Sequence, residues 1–196
     1  MLPILAHAWS IRFGYEAGMK RIYHLAKRFF GALSDREISS EDRQWVESHL
    51  GVGEFALWGR MPNHDQRHAV AVSRRVESAL LASNNSPESS TDWIEVSLMH
   101  DVGKLPSRLS VLGRANATIV WGVAKKLGIP SSRLGHRVDL YVNHSSIGAA
   151  LIIEAGGSTA ASDWARNHHR HDDKALVVSE MIPDQIVQIL SAADDD

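Results

Sequence analysis

The chain contains no cysteine. This absence excludes disulfides, thiolate nucleophiles and metal sites with cysteine ligands, and it is compatible with a reducing compartment. No charge of one sign dominates either, because 21 basic and 23 acidic residues leave a net charge of −2. Proteins that bind nucleic acid through charge are normally strongly basic, so we expect no nucleic-acid partner.

Long hydrophobic runs are also missing. The apolar stretch near the start is interrupted by His7 and Arg12, well short of the roughly 20 residues that a membrane-spanning helix needs. The beginning of the sequence also lacks the basic region and cleavage site of a secretory signal. We therefore expect a cytoplasmic protein.

The first 31 residues nevertheless carry five Lys or Arg side chains against one acid. The ordinary interpretation of such a segment is a solvated helix face. The alternative is an interfacial helix on anionic lipid, because aromatic residues alternate with the charges.

Most catalytic sequence templates are absent as well. The chain has no G-x-S-x-G, no Walker loop, no G-x-G-x-x-G after a strand and no H-E-x-x-H. Strand patterns are equally scarce, since no stretch alternates with period two and the best strand candidate is residues 175–178.

Helical periodicity, in contrast, extends along almost the whole chain. It predicts helices near 6–30, 40–50, 64–82, 92–101, 107–127, 132–143, 146–155, 159–170 and 183–193. The Ser/Asn-rich run 83–90 is the clearest predicted loop. We therefore expect an all-α protein, with residues 1–60 as a helical extension packed on a main domain of residues 61–196.

Histidine is unusually abundant, with 11 residues. The helical spacing directs five polar positions toward the core: His68, the pair His100-Asp101, His144, His168 and Asp194. A single inward histidine is more often a hydrogen-bonded core residue than a ligand. Five buried polar groups without partners, however, would cost roughly 1–3 kcal/mol each. A shared cation would satisfy them together, and imidazole with carboxylate suits Mn, Fe, Zn, Ni or Co rather than Ca.

These positions resemble the signature of the HD superfamily of metal-dependent phosphohydrolases. The segment Met99-His100-Asp101-Val102-Gly103-Lys104 is similar to the family's H-D-x-G-K run, and His68 and Asp194 correspond to its first and last ligands. Residues 144–150, 167–169 and 189–194 resemble three further segments of the subgroup with extra histidines. The resemblance covers about residues 62–196, but the Gly-Tyr-Pro run of the cyclic-di-GMP phosphodiesterases is missing.

The resemblance implies an HD-like orthogonal helical bundle that binds two divalent transition-metal ions. The implied metal ligands are His68, His100, Asp101, His144, His168, His169 and Asp194. Asp101 would bridge the two ions, and Lys104 would place a positive charge near a phosphate oxygen. The implied activity is hydrolysis of a phosphomonoester or phosphodiester of a nucleotide through a metal-bound hydroxide.

Two other functions stay open at this point. One is a non-catalytic signalling module that binds a nucleotide or a partner, and the other is a mixed-valent di-iron oxygenase on a similar scaffold. The roles of two histidines are also open. His171 is an alternative ligand to His169, and His64 either assists acid–base chemistry or only marks the start of a helix.

Overall fold

The computed structural model describes residues 34–83, 87–169 and 182–195. Nine α-helices lie within these ranges: α1 Ser40–Glu47, α2 Val52–Trp58, α3 Asn63–Ala82, α4 Pro87–Met99, α5 Val111–Lys126, α6 His136–Val142, α7 His144–Glu154, α8 Thr159–Asn167 and α9 Asp184–Asp195. Two 3₁₀ helices, η1 Val102–Ser107 and η2 Ser131–Leu134, flank α5. No strand occurs in these ranges, which confirms the all-α prediction for this part of the chain. None of the described helices is long and apolar enough to cross a membrane.

Some predicted features lie outside the described residues. They are the helix near 6–30 with its membrane alternative, the strand candidate 175–178 and the alternative ligand His171.

Helix boundaries differ from the sequence prediction at several places, among them the two described next. The helix predicted near 40–50 ends at Glu47, and a second helix, α2, follows at Val52–Trp58. The loop predicted at 83–90 is shorter than expected, because α4 already begins at Pro87. Proline suits the first turn of a helix, where its missing N–H would have no intrahelical acceptor.

A single hydrophobic core joins the early helices to the later ones. Residues 36–196 form one compact unit. Val46 and Trp58, from the segment assigned to an N-terminal extension, are fully buried in the same cluster as Val76 and Leu98. The helices α1 and α2 therefore share their core with α3 and α4.

Two polar contacts, one buried and one partly buried, hold α3 against its two neighbours. The hydroxyl of Ser97 on α4 donates to the hydroxyl of Ser73 on α3 over 2.8 Å, inside the core. At the other side of α3, Arg75 Nε donates to the Ala193 carbonyl of α9 over 2.8 Å. These contacts fix the ends of α4 and α9, where functional candidates lie.

A pair of glycines brings η1 against α7. A Cβ atom on Gly103 would lie 1.9 Å from the His144 carbonyl oxygen and 2.5 Å from the Gly148 nitrogen. Only residues without side chains permit this backbone approach. The approach places Asp101, two residues before Gly103, beside the start of α7.

Candidate metal centre

The predicted ligands converge on Asp101. One oxygen of its carboxylate, Oδ1, lies 3.6 Å from His168 Nε2 and 3.9 Å from His144 Nε2. The Nε2 atom of His144 is in turn 2.9 Å from Nε2 of His169. The helices α7 and α8 thus supply three imidazoles to one side of the carboxylate.

The other carboxylate oxygen of Asp101 faces a second set of side chains. Its Oδ2 lies 3.4 Å from His100 Nε2, and His100 Nε2 is 3.8 Å from Asp194 Oδ1. Asp194 Oδ1 is also 3.1 Å from Nε2 of His68 on α3. The described residues therefore contain two groups with the spacing of metal ligands: His68, His100 and Asp101, and Asp101, His144, His168 and His169. Asp101 belongs to both groups.

Backbone carbonyls orient three of the histidine rings. In each case Nδ1 donates to the carbonyl oxygen three residues earlier: His100 to Ser97 over 2.7 Å, His144 to Tyr141 over 2.6 Å and His168 to Ala165 over 2.9 Å. A carbonyl can only accept, so Nδ1 carries the hydrogen and a neutral ring presents the Nε2 lone pair to the centre. Metal-binding histidines in proteins are oriented by such bonds from their other nitrogen.

Among the described residues, three buried atoms at the centre have no hydrogen-bond partner: His100 Nε2, Asp101 Oδ1 and His168 Nε2. Their residues are only 2 to 3% exposed. Buried polar atoms are nearly always paired in native proteins, so this cluster requires an explanation. A cation between these atoms would satisfy all three, and the residues present therefore fit a metal ion.

Two side chains with raised pKa values face the carboxylate of Asp101, and a metal ion would bind His100 by displacing its Nε2 proton. Burial alone would lower the pKa of His100, but the charges of Asp101 and Asp194 raise it to about 9. Burial also opposes the ammonium form of Lys104, yet its contact with Asp101 Oδ2 raises the pKa of the lysine. In return, Lys104 and His100 hold the pKa of Asp101 well below its usual range. Asp101 is therefore ionised throughout the physiological range.

Three other histidines of the centre have lowered pKa values and are neutral at physiological pH. Burial and the charge of Lys104 lower the pKa of His144 to about 4. Partial burial and the neighbouring His168 lower the pKa of His169 to about 3, and burial lowers that of His68. Neutral imidazole is the form that binds metal ions.

The centre is accessible to solvent. The side chains of His68 and Asp194 are 22% and 24% exposed, and that of Lys104 is 17% exposed. The side chains of Asp101 and His168 lie deeper, at 3% and 0%. His169 is exposed as well, so solvent reaches the ligand groups on both sides of Asp101.

Sequence reasoning missed one ion pair near this centre. Asp65 on α3 accepts two hydrogen bonds of 2.7 Å from Arg114 on α5. Asp65 also lies 3.3 Å from Nε2 of His64, whose pKa is lowered by burial. Asp65 lies one helical turn before His68, and this spacing alone would have predicted that the two side chains share a helix face. No sequence pattern identifies Arg114 as the partner of Asp65.

No known protein family, curated protein or solved structure matches the chain. The described residues form an all-helical fold with a buried His/Asp cluster that could hold a metal ion.

Proposed function

We propose that the chain is a metal-dependent phosphohydrolase of the HD type that cleaves a phosphomonoester or phosphodiester of a nucleotide. One observation carries this proposal: the two oxygens of Asp101 face two different groups of ligand atoms. A carboxylate in this position suits a bridge between two cations. Two divalent ions held in this way lower the pKa of a bound water and neutralise charge on a phosphate group.

The proposed ligands form two groups, one on each side of Asp101. His68, His100 and Asp194 would hold one ion, and His144, His168 and His169 would hold the other, with Asp101 shared. Nitrogen and carboxylate donors suit Mn, Fe, Zn, Ni or Co. The order of the motifs along the chain supports membership in the HD superfamily and its orthogonal bundle.

Lys104 would receive the substrate. Its ammonium group touches Asp101, and its side chain is partly exposed to solvent. A lysine there acts as a point charge for a phosphate oxygen. It would orient the ester with its phosphorus toward the buried histidines.

His64 would handle a proton near the same centre. Burial lowers its pKa, so the ring is neutral at physiological pH and can accept a proton. Asp65, 3.3 Å from its Nε2, would stabilise the protonated form. This position suits acid–base work on the leaving group.

The test combines elemental analysis with a panel of phosphate esters. We expect the purified protein to contain transition metal and to hydrolyse p-nitrophenyl phosphate, bis-p-nitrophenyl phosphate or one of a set of nucleotides. Asp101→Asn should abolish hydrolysis and lower metal content, while Asp184→Asn, an exposed aspartate on α9, should leave both unchanged.

Three outcomes would contradict the proposal. Measurable nucleotide affinity without metal would favour a signalling module. Oxygen consumption by an iron-loaded sample, with no ester cleaved, would favour an oxygenase. Full activity in Asp101→Asn would remove the site from the reaction.

A further inference from the structure

Helix α5 carries a row of aliphatic side chains on its exposed side. Their residues and exposed fractions are Leu112 at 62%, Ile119 at 68%, Val120 at 37%, Val123 at 55% and Leu127, just beyond the helix, at 68%. Positions 112, 119, 123 and 127 follow one helical face. We call these five residues the α5 stripe. Single exposed aliphatic residues are ordinary, but a continuous row of them marks an interaction surface.

The side of α5 that faces the protein is small. Ala117 and Ala124 are its only buried residues, and among the described helices its main contacts are with α6 and η2. The helix therefore lies on the surface with its larger aliphatic side chains directed outward. Its own packing does not account for the α5 stripe.

The surrounding segment is basic and contains no acid. Residues 102–138 include seven Lys or Arg and no Asp or Glu. Lys104 and Arg114 are engaged with Asp101 and Asp65. The other five are exposed: Arg108, Lys125, Lys126, Arg133 and Arg137. The expected occupant of this surface is therefore anionic as well as apolar.

Two possible occupants from the same protein fit poorly. In a second copy docked through α5, two acid-free basic segments would meet and repel each other. Residues 1–31 carry five basic side chains against one acid, so they too offer the wrong charge. A phosphate-ester substrate would bind to the basic side chains of this segment, but it has no extended apolar surface that would contact a row of aliphatic side chains.

We propose that α5 is an interfacial helix that docks on a bilayer containing anionic lipid. The α5 stripe would enter the boundary between headgroups and acyl chains, and Lys125 and Lys126 would contact lipid phosphates. This assignment does not depend on the hydrolytic activity, because no residue of the α5 stripe belongs to the metal centre.

The experiment measures co-sedimentation of the full chain with two kinds of vesicle. One kind is phosphatidylcholine alone, and the other is an equal mixture of phosphatidylcholine and phosphatidylglycerol. We expect binding to the mixed vesicles, release at high salt because the charges are screened, and weak binding to phosphatidylcholine. The double variant Ile119→Ser/Val123→Ser should bind the mixed vesicles more weakly by roughly tenfold or more.

A matched control removes the same two side-chain types elsewhere. Val52 and Ile153 are 92% and 50% exposed, and neither belongs to α5. The variant Val52→Ser/Ile153→Ser should therefore bind like the wild type. A second pair, Lys125→Gln/Lys126→Gln, should weaken binding to mixed vesicles. Arg60 is exposed and lies outside the basic segment 102–138, so Arg60→Gln should not weaken it.

Several results would overturn the lipid assignment. If Ile119→Ser/Val123→Ser and the wild type bind mixed vesicles equally well, the α5 stripe is not the lipid-binding surface. Failure of the wild type to bind mixed vesicles would exclude lipid. In that case, self-association that Ile119→Ser/Val123→Ser abolishes would assign the surface to a second copy, and binding to polyglutamate would assign it to an acidic protein.

Discussion

At the scale of single residues, hydrogen bonds separate a ligand histidine from an ordinary core histidine. His100 and His168 each donate from Nδ1 to a backbone carbonyl, and their Nε2 atoms have no hydrogen-bond partner in the part of the chain that the structure describes. A structural histidine in a core would normally pair both nitrogens. Helical spacing could predict that these rings face inward. It could not predict which ring nitrogen the backbone would occupy, because that depends on the local turn at the helix end.

The three aspartates at positions 194–196 provide a test at this scale. Asp194 lies 3.1 Å from His68 Nε2, whereas its neighbour Asp195 is exposed. We expect Asp194→Asn to weaken metal binding by at least roughly tenfold, because it removes a charged ligand. Asp195→Asn changes the net charge by the same amount as Asp194→Asn, and this variant should bind metal like the wild type. Metal affinity is measured by competition with a chromogenic chelator, and equal loss in both variants would remove Asp194 from the centre.

At the scale of helices, the position of the centre depends on where elements end. His100 follows the last residue of α4, His168 follows α8, and His144 is the first residue of α7. Asp101 then starts the turn into η1, which the glycine contact presses onto α7. Apart from His68, which lies within α3, the candidate ligands therefore come from helix ends, where small shifts of one element would separate them.

The contact between η1 and α7 predicts opposite effects for two glycine substitutions. A Cβ atom on Gly103 would overlap backbone atoms of His144 and Gly148, which cannot rotate away. We expect Gly103→Ala to lower the free energy of unfolding by about 1–3 kcal/mol and to weaken metal binding. Gly122→Ala on α5 meets nothing within 4 Å and should raise the free energy of unfolding by up to about 1 kcal/mol, because alanine favours helix. Urea unfolding of both variants measures this, and a neutral Gly103→Ala would contradict the tight contact.

The same helix ends show what could be predicted from the sequence. Periodicity was sufficient for the all-α class of the described residues, and α3 illustrates this by burying the regular stripe of Val72, Val76 and Leu80. It was insufficient for the break between α1 and α2, because Leu50 continues the apolar pattern while the backbone turns there. It also could not predict the Asp65–Arg114 pair, since two residues 49 positions apart meet only through tertiary packing.

At the scale of the whole molecule, a buried carboxyl pair joins three parts of the fold. Glu54 on α2 accepts a 2.9 Å hydrogen bond from the Gly51 nitrogen. Glu95 on α4 accepts a 2.7 Å bond from the nitrogen of Ser158, which caps α8. Burial raises the pKa of Glu54 to about 7, and the hydrogen bond and charge of Glu95 raise it as well. One proton thus stabilises a junction between α2, α4 and α8.

This junction predicts how stability depends on pH. The folded protein keeps the Glu54 proton up to about pH 7, whereas the unfolded chain releases it near pH 4.5. Unfolding therefore releases a proton between these values, and stability falls as the pH rises through this window, by roughly 2–3 kcal/mol. Glu54→Gln mimics the protonated form, so it should be more stable than the wild type at pH 8 and similar at pH 4.5.

The measurement is urea unfolding at several pH values. The control Glu47→Gln changes an exposed glutamate of α1. Its free energy of unfolding should depend on pH with the same slope as that of the wild type. If Glu54→Gln also keeps that slope, Glu54 is ionised in the folded protein at pH 5–7.

The contact between His68 and Asp194 spans 126 positions of the chain. A ribosome therefore exposes His68 long before the carboxylate that faces it has been synthesised. Until α9 emerges and docks on α3, the nascent chain offers only part of the ligand set. For the proposed metal centre, complete metallation should therefore follow the synthesis of α9.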